Sequence, residues 1–250
     1  MRMYGTAQET GLRDNQCDAT AVYTAPDGTR AYALLDGIGS STAVQDWTRA
    51  AARRLARAAA RRGNAETGLR AVYDAYAAER TDPLTQDYAP KVAAVVAVLA
   101  PGEPMTVAWC GDSRAYLLTG GELRCLTNDH NMRRVIPPSG WHNGGSRNRI
   151  ISCLGSTYTD EELMAEVGHP AIETATAVAQ GARLLLASDG AYEPHEDGRH
   201  GIAPLMAGDP REAARTLTRL AISRSIAASR ALDPARPYAD NATALVADVA

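Results

Sequence analysis

Three aspartates recur in one local context, beside an apolar run and next to a turn-forming residue. Asp36 directly follows an apolar segment, Asp189 follows another after one serine, and Asp240 precedes a third. Taken singly, each Asp-Gly or Asp-Asn pair is a common turn signal. Strand ends can converge on one edge of a sandwich, however, and clustered carboxylates without a neighbouring Lys or Arg require protons or hard cations. The recurrence therefore predicts an all-oxygen site suited to Mg²⁺ or Mn²⁺.

Most of the elements that must position these aspartates are predicted to be β-strands. Alternating or unbroken apolar runs, several of them separated by Gly-containing turns, are typical of strands in hairpin order. The predicted strands are Ala19–Thr24, Arg30–Leu35, Val92–Leu99, Met105–Trp109, Arg114–Leu118, Glu122–Leu126, Arg183–Ala187 and Thr243–Val249.

Helices are predicted between these hairpins. Thr42–Arg62 places apolar residues on one stripe and arginines around it, and a second helix follows through Leu69 and Tyr76. A third begins after Asp209, where Pro at the first helical position and Glu at the third are typical of a helix start. Because the helices are grouped instead of alternating with single strands, we predict an α+β sandwich and not a doubly wound parallel sheet.

Composition limits the classes of function. The chain has 250 residues, with 26 Lys and Arg against 29 Asp and Glu, and 45% of its residues are hydrophobic. These values exclude a disordered protein and argue against a nucleic-acid binder that relies on a positive field. No apolar run approaches the roughly 18 residues of a membrane span, and residues 1–15 lack the apolar centre of a signal peptide. We expect one domain over residues 1–250, in the cytoplasm, without membrane contact.

Seven short motifs stand in an order that is recognisable as a set. They are Arg13 with Asp18-Ala19, Leu35–Gly39, Trp109–Leu117, Leu126–His130, Arg147–Ile150 running into Leu154-Gly155, Leu185–Gly190, and Asp240–Thr243. In this order the sequence resembles the metal-dependent serine/threonine protein phosphatases of the PPM, or type 2C, family. The resemblance runs nearly from end to end of the chain.

The resemblance implies a fold and a reaction. The family fold is a central antiparallel β-sandwich with α-helices on both outer faces. Family enzymes hold two Mn²⁺ or Mg²⁺ ions at one edge, and some hold a weaker third. A water bridging the two ions attacks the phosphorus of phosphoserine or phosphothreonine. The implied partner is a phosphorylated protein, the target of a bacterial serine/threonine kinase, and we expect a monomer.

Motif matching also implies roles for individual residues. Asp36 would bridge both metals, the carbonyl of Gly37 would complete one site, and Asp189 and Asp240 would hold the other. Arg13 matches the arginine that binds the substrate phosphate, although a surface salt bridge is an equal reading of that residue on sequence alone.

Two further acidic positions match the weaker third site, and one family ligand is missing. Asp112 matches an aspartate that binds the third ion in some members, where Glu193 could contribute. The family's acidic pair before Ala normally supplies a Glu ligand, but here that place is Cys17, which leaves Asp18 of the pair. Thiolate is a soft ligand that suits Mg²⁺ poorly. Cys17 is then a small apolar substitution or a redox-sensitive thiol beside the metals.

Other departures leave three functions open. Ile38 stands where many members carry His, and Ser40 replaces a Gly, while residues 131–147 match the variable flap beside the active site. We interpret His130 as structural. The chain is an active phosphoprotein phosphatase, a catalytically impaired phosphatase-fold protein that binds phosphoproteins or regulates a kinase, or a hydrolase of small phosphoesters.

Overall fold

A computed structural model describes residues 4–80 and 89–249, and in these ranges the strands form two five-stranded antiparallel sheets. Along the chain the strands are β1 (Tyr4–Glu9), β2 (Ala19–Thr24), β3 (Arg30–Gly37), β4 (Val92–Leu99), β5 (Met105–Cys110), β6 (Arg114–Thr119), β7 (Glu122–Cys125), β8 (Glu173–Ala177), β9 (Ala182–Ala187) and β10 (Ala242–Val249). One sheet has the order β1-β10-β9-β6-β7 and the other β2-β3-β4-β5-β8.

The two sheets face each other across an apolar core. Successive side chains of a strand point to opposite faces, so the unbroken apolar runs divide between two layers. In β3, Tyr32 and Leu34 enter the core between the sheets, whereas Ala33 and Leu35 pack on the helical side. Leu186 of β9 likewise belongs to the inner core. These strands therefore read as continuous hydrophobic runs because both of their faces are buried.

Helices cover the outer faces of both sheets. They are α1 (Thr42–Arg62), α2 (Ala65–Ala78), α3 (Met132–Val135), α4 (Asp160–Val167), α5 (Asp189–Asp197) and α6 (Pro210–Leu232), with a 3₁₀ turn at Ala203–Met206. Helix α1 packs on β2 and β3, and α6 packs on β1 and β10. Ser41 caps α1 by accepting a hydrogen bond from the Val44 N–H, and Asp209 caps α6. No helix in these described ranges is long and apolar enough to cross a lipid bilayer.

The α+β sandwich expected from the sequence is confirmed, with two strands added. Strands β1 and β8 were not predicted from the sequence; both lie at sheet edges and carry Thr or Gln on their exposed sides. The second predicted strand ends at Leu35, whereas β3 continues to Gly37. Asp36 therefore lies within the last two residues of a strand instead of following it.

Candidate functional site

The aspartates singled out from the sequence come together at one edge of the sandwich. Asp36 is the last residue but one of β3, Asp18 precedes β2, and Asp112 lies between β5 and β6. Asp189 follows β9 as the first residue of α5, and Asp240 precedes β10. Asp36 is close enough to the other four for each of them to raise its pKa. We call these five residues the carboxylate edge.

Burial and mutual repulsion raise the pKa values of carboxyl groups at this edge. Burial raises the pKa of Asp36 well above its usual range, and the neighbouring carboxylates raise it further. Burial also raises the pKa of Asp18 to about 7, and it raises those of Asp112 and Asp189. Among the described ion pairs, the one that involves this edge joins Arg13 to Asp240. The other four carboxylates therefore need protons or cations from outside the chain.

Asp18 is held from one side and left without a partner on the other. Ser188 Oγ donates to Asp18 Oδ2 at 3.0 Å, and the Thr243 N–H donates to the same Ser188 Oγ at 2.9 Å. Gln8 Nε2 donates to the backbone carbonyl of Asp18 at 2.9 Å. Asp18 Oδ1 is buried and has no hydrogen-bond partner. A buried acceptor of this kind is a place where a proton or a cation restores the lost hydration.

Two glycines allow the backbone segments of the edge to approach. A Cβ at Gly37 would lie 2.6 Å from the carbonyl oxygen of Cys17, and one at Gly190 would lie 2.1 Å from that of Asn241. Both distances are far below van der Waals contact. Glycine at these positions therefore lets the segment carrying Asp36 meet the one carrying Asp18, and the start of α5 meet the start of β10.

Cys17 is fully buried beside this edge, with its thiol turned toward α1. Its backbone N–H donates to Asn241 Oδ1 at 2.7 Å, and its Sγ lies 3.7 Å from the carbonyl oxygen of Ser41. Burial, and then the charge of Asp18, raise the pKa of the thiol. The side chain is therefore a neutral group in the place where the resemblance expects a glutamate.

Arg13 is bound to Asp240 and to an aromatic residue that the sequence analysis missed. Arg13 Nη2 donates to Asp240 Oδ2 at 2.6 Å and to the hydroxyl of Tyr238 at 2.5 Å, and that hydroxyl donates to Asp240 Oδ2 at 2.7 Å. The guanidinium carbon lies 5.2 Å from the ring centroid of Tyr238. Arg13 Nε is buried without a partner. The arginine is thus fixed beside the edge with one buried donor unused.

Asp112 and Glu193, the expected third-site pair, are both near Asp189. Charge on Asp189 is among the causes that raise the pKa of each, after burial, and the pKa of Glu193 reaches about 8. Arg147 Nε forms an ion pair with Glu193 Oε1 at 3.1 Å and Arg147 Nη2 binds Asp197 Oδ2 at 2.5 Å. Arg147 therefore ties the end of the flap region, residues 131–147, to α5.

His130 has the surroundings of a structural residue. It is fully buried, its Nε2 lies 2.9 Å from Glu173 Oε2, and its ring stacks on His169 with centroids 4.3 Å apart. Arg134 Nη1 and Nη2 bind the same Glu173 at 2.6 and 2.8 Å. In contrast to the carboxylate edge, this cluster neutralises its own charge.

The donor chemistry of the carboxylate edge fits a hard divalent cation. Carboxylate and carbonyl oxygens are the ligands of Mg²⁺ and Mn²⁺, and the unpartnered Asp18 Oδ1 marks a place for one. In the described part of the chain no three His, Cys, Asp or Glu side chains are arranged to hold a metal ion. Burial and the charge of Asp240 raise the pKa of Asp189, and hydrogen bonding to Asp36 opposes that rise.

Side chains that hold the aspartates were harder to find from sequence than the aspartates themselves. Ser188 and Thr243 lie inside two of the recognised motifs, so their positions were a usable signal. Tyr238 lies two residues before Asp240 in a Pro-containing segment and carries no such signal.

Comparison with known proteins agrees with this geometry. The model of the family "Protein phosphatase 2C" matches residues 5–135, just over half of the chain. No curated protein sequence matches this chain. Among solved structures, the Mycobacterium tuberculosis serine/threonine phosphatase PstP/Ppp is 26% identical, with 99% of this chain and 98% of that chain covered and a TM-score of 0.67.

Two other bacterial structures share the fold at lower identity. The S. agalactiae serine/threonine phosphatase is 17% identical with both chains fully covered and a TM-score of 0.73. PppA, described as a key regulatory component of the T6SS in Pseudomonas aeruginosa, is 23% identical with 98% and 97% coverage and a TM-score of 0.68. The family match, the two-sheet fold and the motif order agree: this chain is a member of the protein phosphatase 2C family.

Proposed function

We propose that the protein hydrolyses phosphoserine and phosphothreonine in proteins and depends on Mn²⁺ or Mg²⁺. The observation that carries this proposal is the convergence of uncompensated carboxylates at one edge, next to an arginine with an unused buried donor. The family membership and the named activity of the similar M. tuberculosis structure support it. The substrates would be proteins phosphorylated by a bacterial serine/threonine kinase.

The residues that would hold two metal ions are Asp36, the Gly37 carbonyl, Asp189, Asp240 and Asp18, with Asp112 and Glu193 at a weaker third site. When bound, the ions would supply a water of lowered pKa and neutralise charge on the phosphoryl oxygens. Carboxylates of the edge that retain protons because of their raised pKa would release them when the ions bind. This exchange relieves the repulsion that raises the pKa of Asp36.

Arg13 would bind and orient the phosphoryl group. Its Nη2 already bonds to Asp240 and Tyr238, and its buried Nε has no hydrogen-bond partner. A planar guanidinium suits two phosphoryl oxygens. Because Tyr238 and Asp240 fix the arginine before substrate arrives, little side-chain freedom is lost on binding.

The test is metal-stimulated hydrolysis of para-nitrophenyl phosphate and of a phosphothreonine peptide. We expect turnover in Mn²⁺ and a loss of at least about a thousandfold in Asp36→Asn and Asp189→Asn, because each removes a metal-binding charge. Asp74→Asn, at an exposed position of α2, is the matched control and should retain full activity. A wild-type protein without metal-stimulated turnover on either substrate contradicts the proposal.

Cys17 favours one competing function, a phosphoprotein-binding or regulatory protein that has lost catalysis. The buried thiol occupies the place of a metal-binding glutamate and faces Ser41 instead of the edge. Titration calorimetry with Mn²⁺ separates the two functions, since absence of binding near millimolar metal supports the regulatory protein. In Cys17→Glu, a large gain in turnover would show that the missing carboxylate limits the wild type.

A further inference from the structure

A cavity of 610 Å³ lies between α5 and α6 and opens onto the carboxylate edge. Asp189 and Asp240 line its inner end, and Leu232 lies toward the end of α6. Clefts of this volume typically take a small ligand or a few residues of a peptide. Because it begins at the proposed site of phosphate hydrolysis, residues next to a substrate phosphoserine would enter it.

Most of the charges on the cavity walls are already paired. Glu193 and Asp197 on the α5 wall are both bound by Arg147. Asp240 is bound by Arg13. Arg224, on the α6 wall, differs because no carboxylate in the described residues forms an ion pair with it.

His195 holds the Arg224 side chain in place without neutralising its charge. His195 is fully buried, its Nε2 lies 3.1 Å from the carbonyl oxygen of Leu217, and its Nδ1 contacts Arg224 Nη1. A carbonyl only accepts, so Nε2 carries the ring proton and Nδ1 is the acceptor for the guanidinium. The imidazole is therefore neutral. It orients a full positive charge at the cavity wall.

We propose that Arg224 determines substrate specificity by binding an acidic side chain close to the phosphoserine or phosphothreonine of the substrate. The inference rests on the proposed function, because it assumes that a phosphopeptide reaches the carboxylate edge. A guanidinium with donors left over after the contact to His195 binds a carboxylate more tightly than a neutral or cationic side chain. Arg224 is not required for the chemistry at the edge.

The test compares phosphopeptides that differ only in having Glu, Gln or Lys beside the phosphoserine, at each position on either side. For the full chain in Mn²⁺, we expect one position at which Glu raises kcat/KM above Gln and Lys. Arg224→Gln should lower kcat/KM for that Glu peptide about tenfold. The Gln peptide and para-nitrophenyl phosphate should change less than about twofold. Arg224→Glu should favour the Lys peptide.

Arg230→Gln is the matched control, since Arg230 is exposed on the same helix and does not line the cavity. It should leave all ratios unchanged. If Arg224→Gln fails to fold because His195 Nδ1 loses its donor, Arg224→Lys retains a donor and a charge and should keep a reduced preference for Glu. Equal losses for all peptides, or an unchanged Glu preference in Arg224→Gln, would overturn the inference.

Failure of the proposed function gives a different result. In that case the wild type turns over neither para-nitrophenyl phosphate nor any phosphopeptide. Fluorescence anisotropy with fluorescently labelled versions of the same peptides then tests the contribution of Arg224 to peptide binding alone. About tenfold weaker binding of the Glu peptide by Arg224→Gln supports the inference, and equal binding of the Glu and Gln peptides by the wild type overturns it.

Discussion

Two clusters of polar side chains in this molecule shift the pKa of their carboxyl groups in opposite directions. At the carboxylate edge, burial raises the pKa of Asp18 to about 7, with neighbouring aspartates adding to the effect. At Glu173, burial also acts to raise the pKa, but hydrogen bonds from Arg134 and His130 outweigh it and lower the pKa to about 2. The carboxylates of the first cluster lack a positively charged partner for all but Asp240, whereas the second cluster contains the arginine that pairs with Glu173.

Charge balance distinguishes the proposed functional cluster from the structural one. Both clusters have carboxylates at the ends of strands: Asp36 is near the end of β3, and Glu173 begins β8. The Glu173 cluster stabilises the fold because its charges are paired. The uncompensated carboxylates of the edge reduce stability when no metal is bound, and binding of the proposed divalent cations would recover this free energy.

The largest expected contrast is between neutralising one carboxylate in each cluster. Glu173→Gln should lower the free energy of unfolding by about 2 kcal/mol, because Arg134 and His130 lose a charged partner. Asp36→Asn should raise that of the metal-free protein by about 1 kcal/mol or more, because it removes a repelling carboxylate. Urea unfolding in EDTA measures both. If both variants are destabilised, the two clusters do not differ in charge balance.

Metal addition should affect the two variants differently. With Mn²⁺ at about 100 times its dissociation constant, the wild type should gain about 2.7 kcal/mol of stability. Asp36→Asn should gain much less, whereas Glu173→Gln should gain as much as the wild type. Thermal unfolding with and without Mn²⁺ measures this. A full gain in Asp36→Asn would mean that the metal binds elsewhere.

The two clusters should also change the stability of the folded protein in different pH ranges and in opposite directions. The folded pKa of Asp18, about 7, is above its unfolded value of about 3.9, so the metal-free folded state binds more protons and loses stability as pH rises between these values. For Glu173 the folded pKa of about 2 is below the unfolded value of about 4.3, so its stabilisation is lost as pH falls through that range.

Melting temperatures in EDTA should therefore decline from pH 5 to pH 8, and Asp18→Asn should reduce this decline. Below pH 4.5, Glu173→Gln should reduce the acid loss and leave the decline at higher pH unchanged. An identical pH profile for wild type and Asp18→Asn would show that Asp18 does not retain a proton in the folded protein.

The smallest expected effect concerns Tyr238 at the rim of the carboxylate edge. Tyr238→Phe removes the hydroxyl that bonds to Arg13 and Asp240 and keeps the ring beside the guanidinium. We expect KM for phosphopeptides to rise about threefold to tenfold, equivalent to about 1 kcal/mol, with little change in kcat. Steady-state kinetics separate the two parameters, and a loss confined to kcat would assign the hydroxyl a different role.

Local patterns in the sequence were sufficient to predict the sandwich and three aspartates of the carboxylate edge, whereas Asp18 and Asp112 were implied by the family resemblance. Apolar runs indicate buried strands, and Asp36 and Asp189 each lie in a motif with a glycine next to them. The edge strands β1 and β8 were missed because one side of each faces solvent and carries polar residues.

Contacts between residues distant in sequence could not be predicted in the same way. Arg224 and Tyr238 have no distinguishing neighbours in the chain, and their importance arises from contacts to His195 and Arg13. The orientation of Cys17 toward Ser41 was equally invisible. Side-chain partners of this kind are fixed by the packing of α1, α5 and α6, which a single sequence does not reveal.

The pairing of the first and last described strands has a consequence for synthesis of the protein on the ribosome. Strand β1 pairs with β10, and the backbone of Cys17 is bonded to Asn241, 224 residues later. Until the segment from Tyr238 to Asn241 has left the ribosome, the nascent chain lacks Asp240, both partners of Arg13 and the partner of the Cys17 N–H. The proposed phosphatase activity should thus appear only after β10 has left the exit tunnel, however early the other sheet has folded.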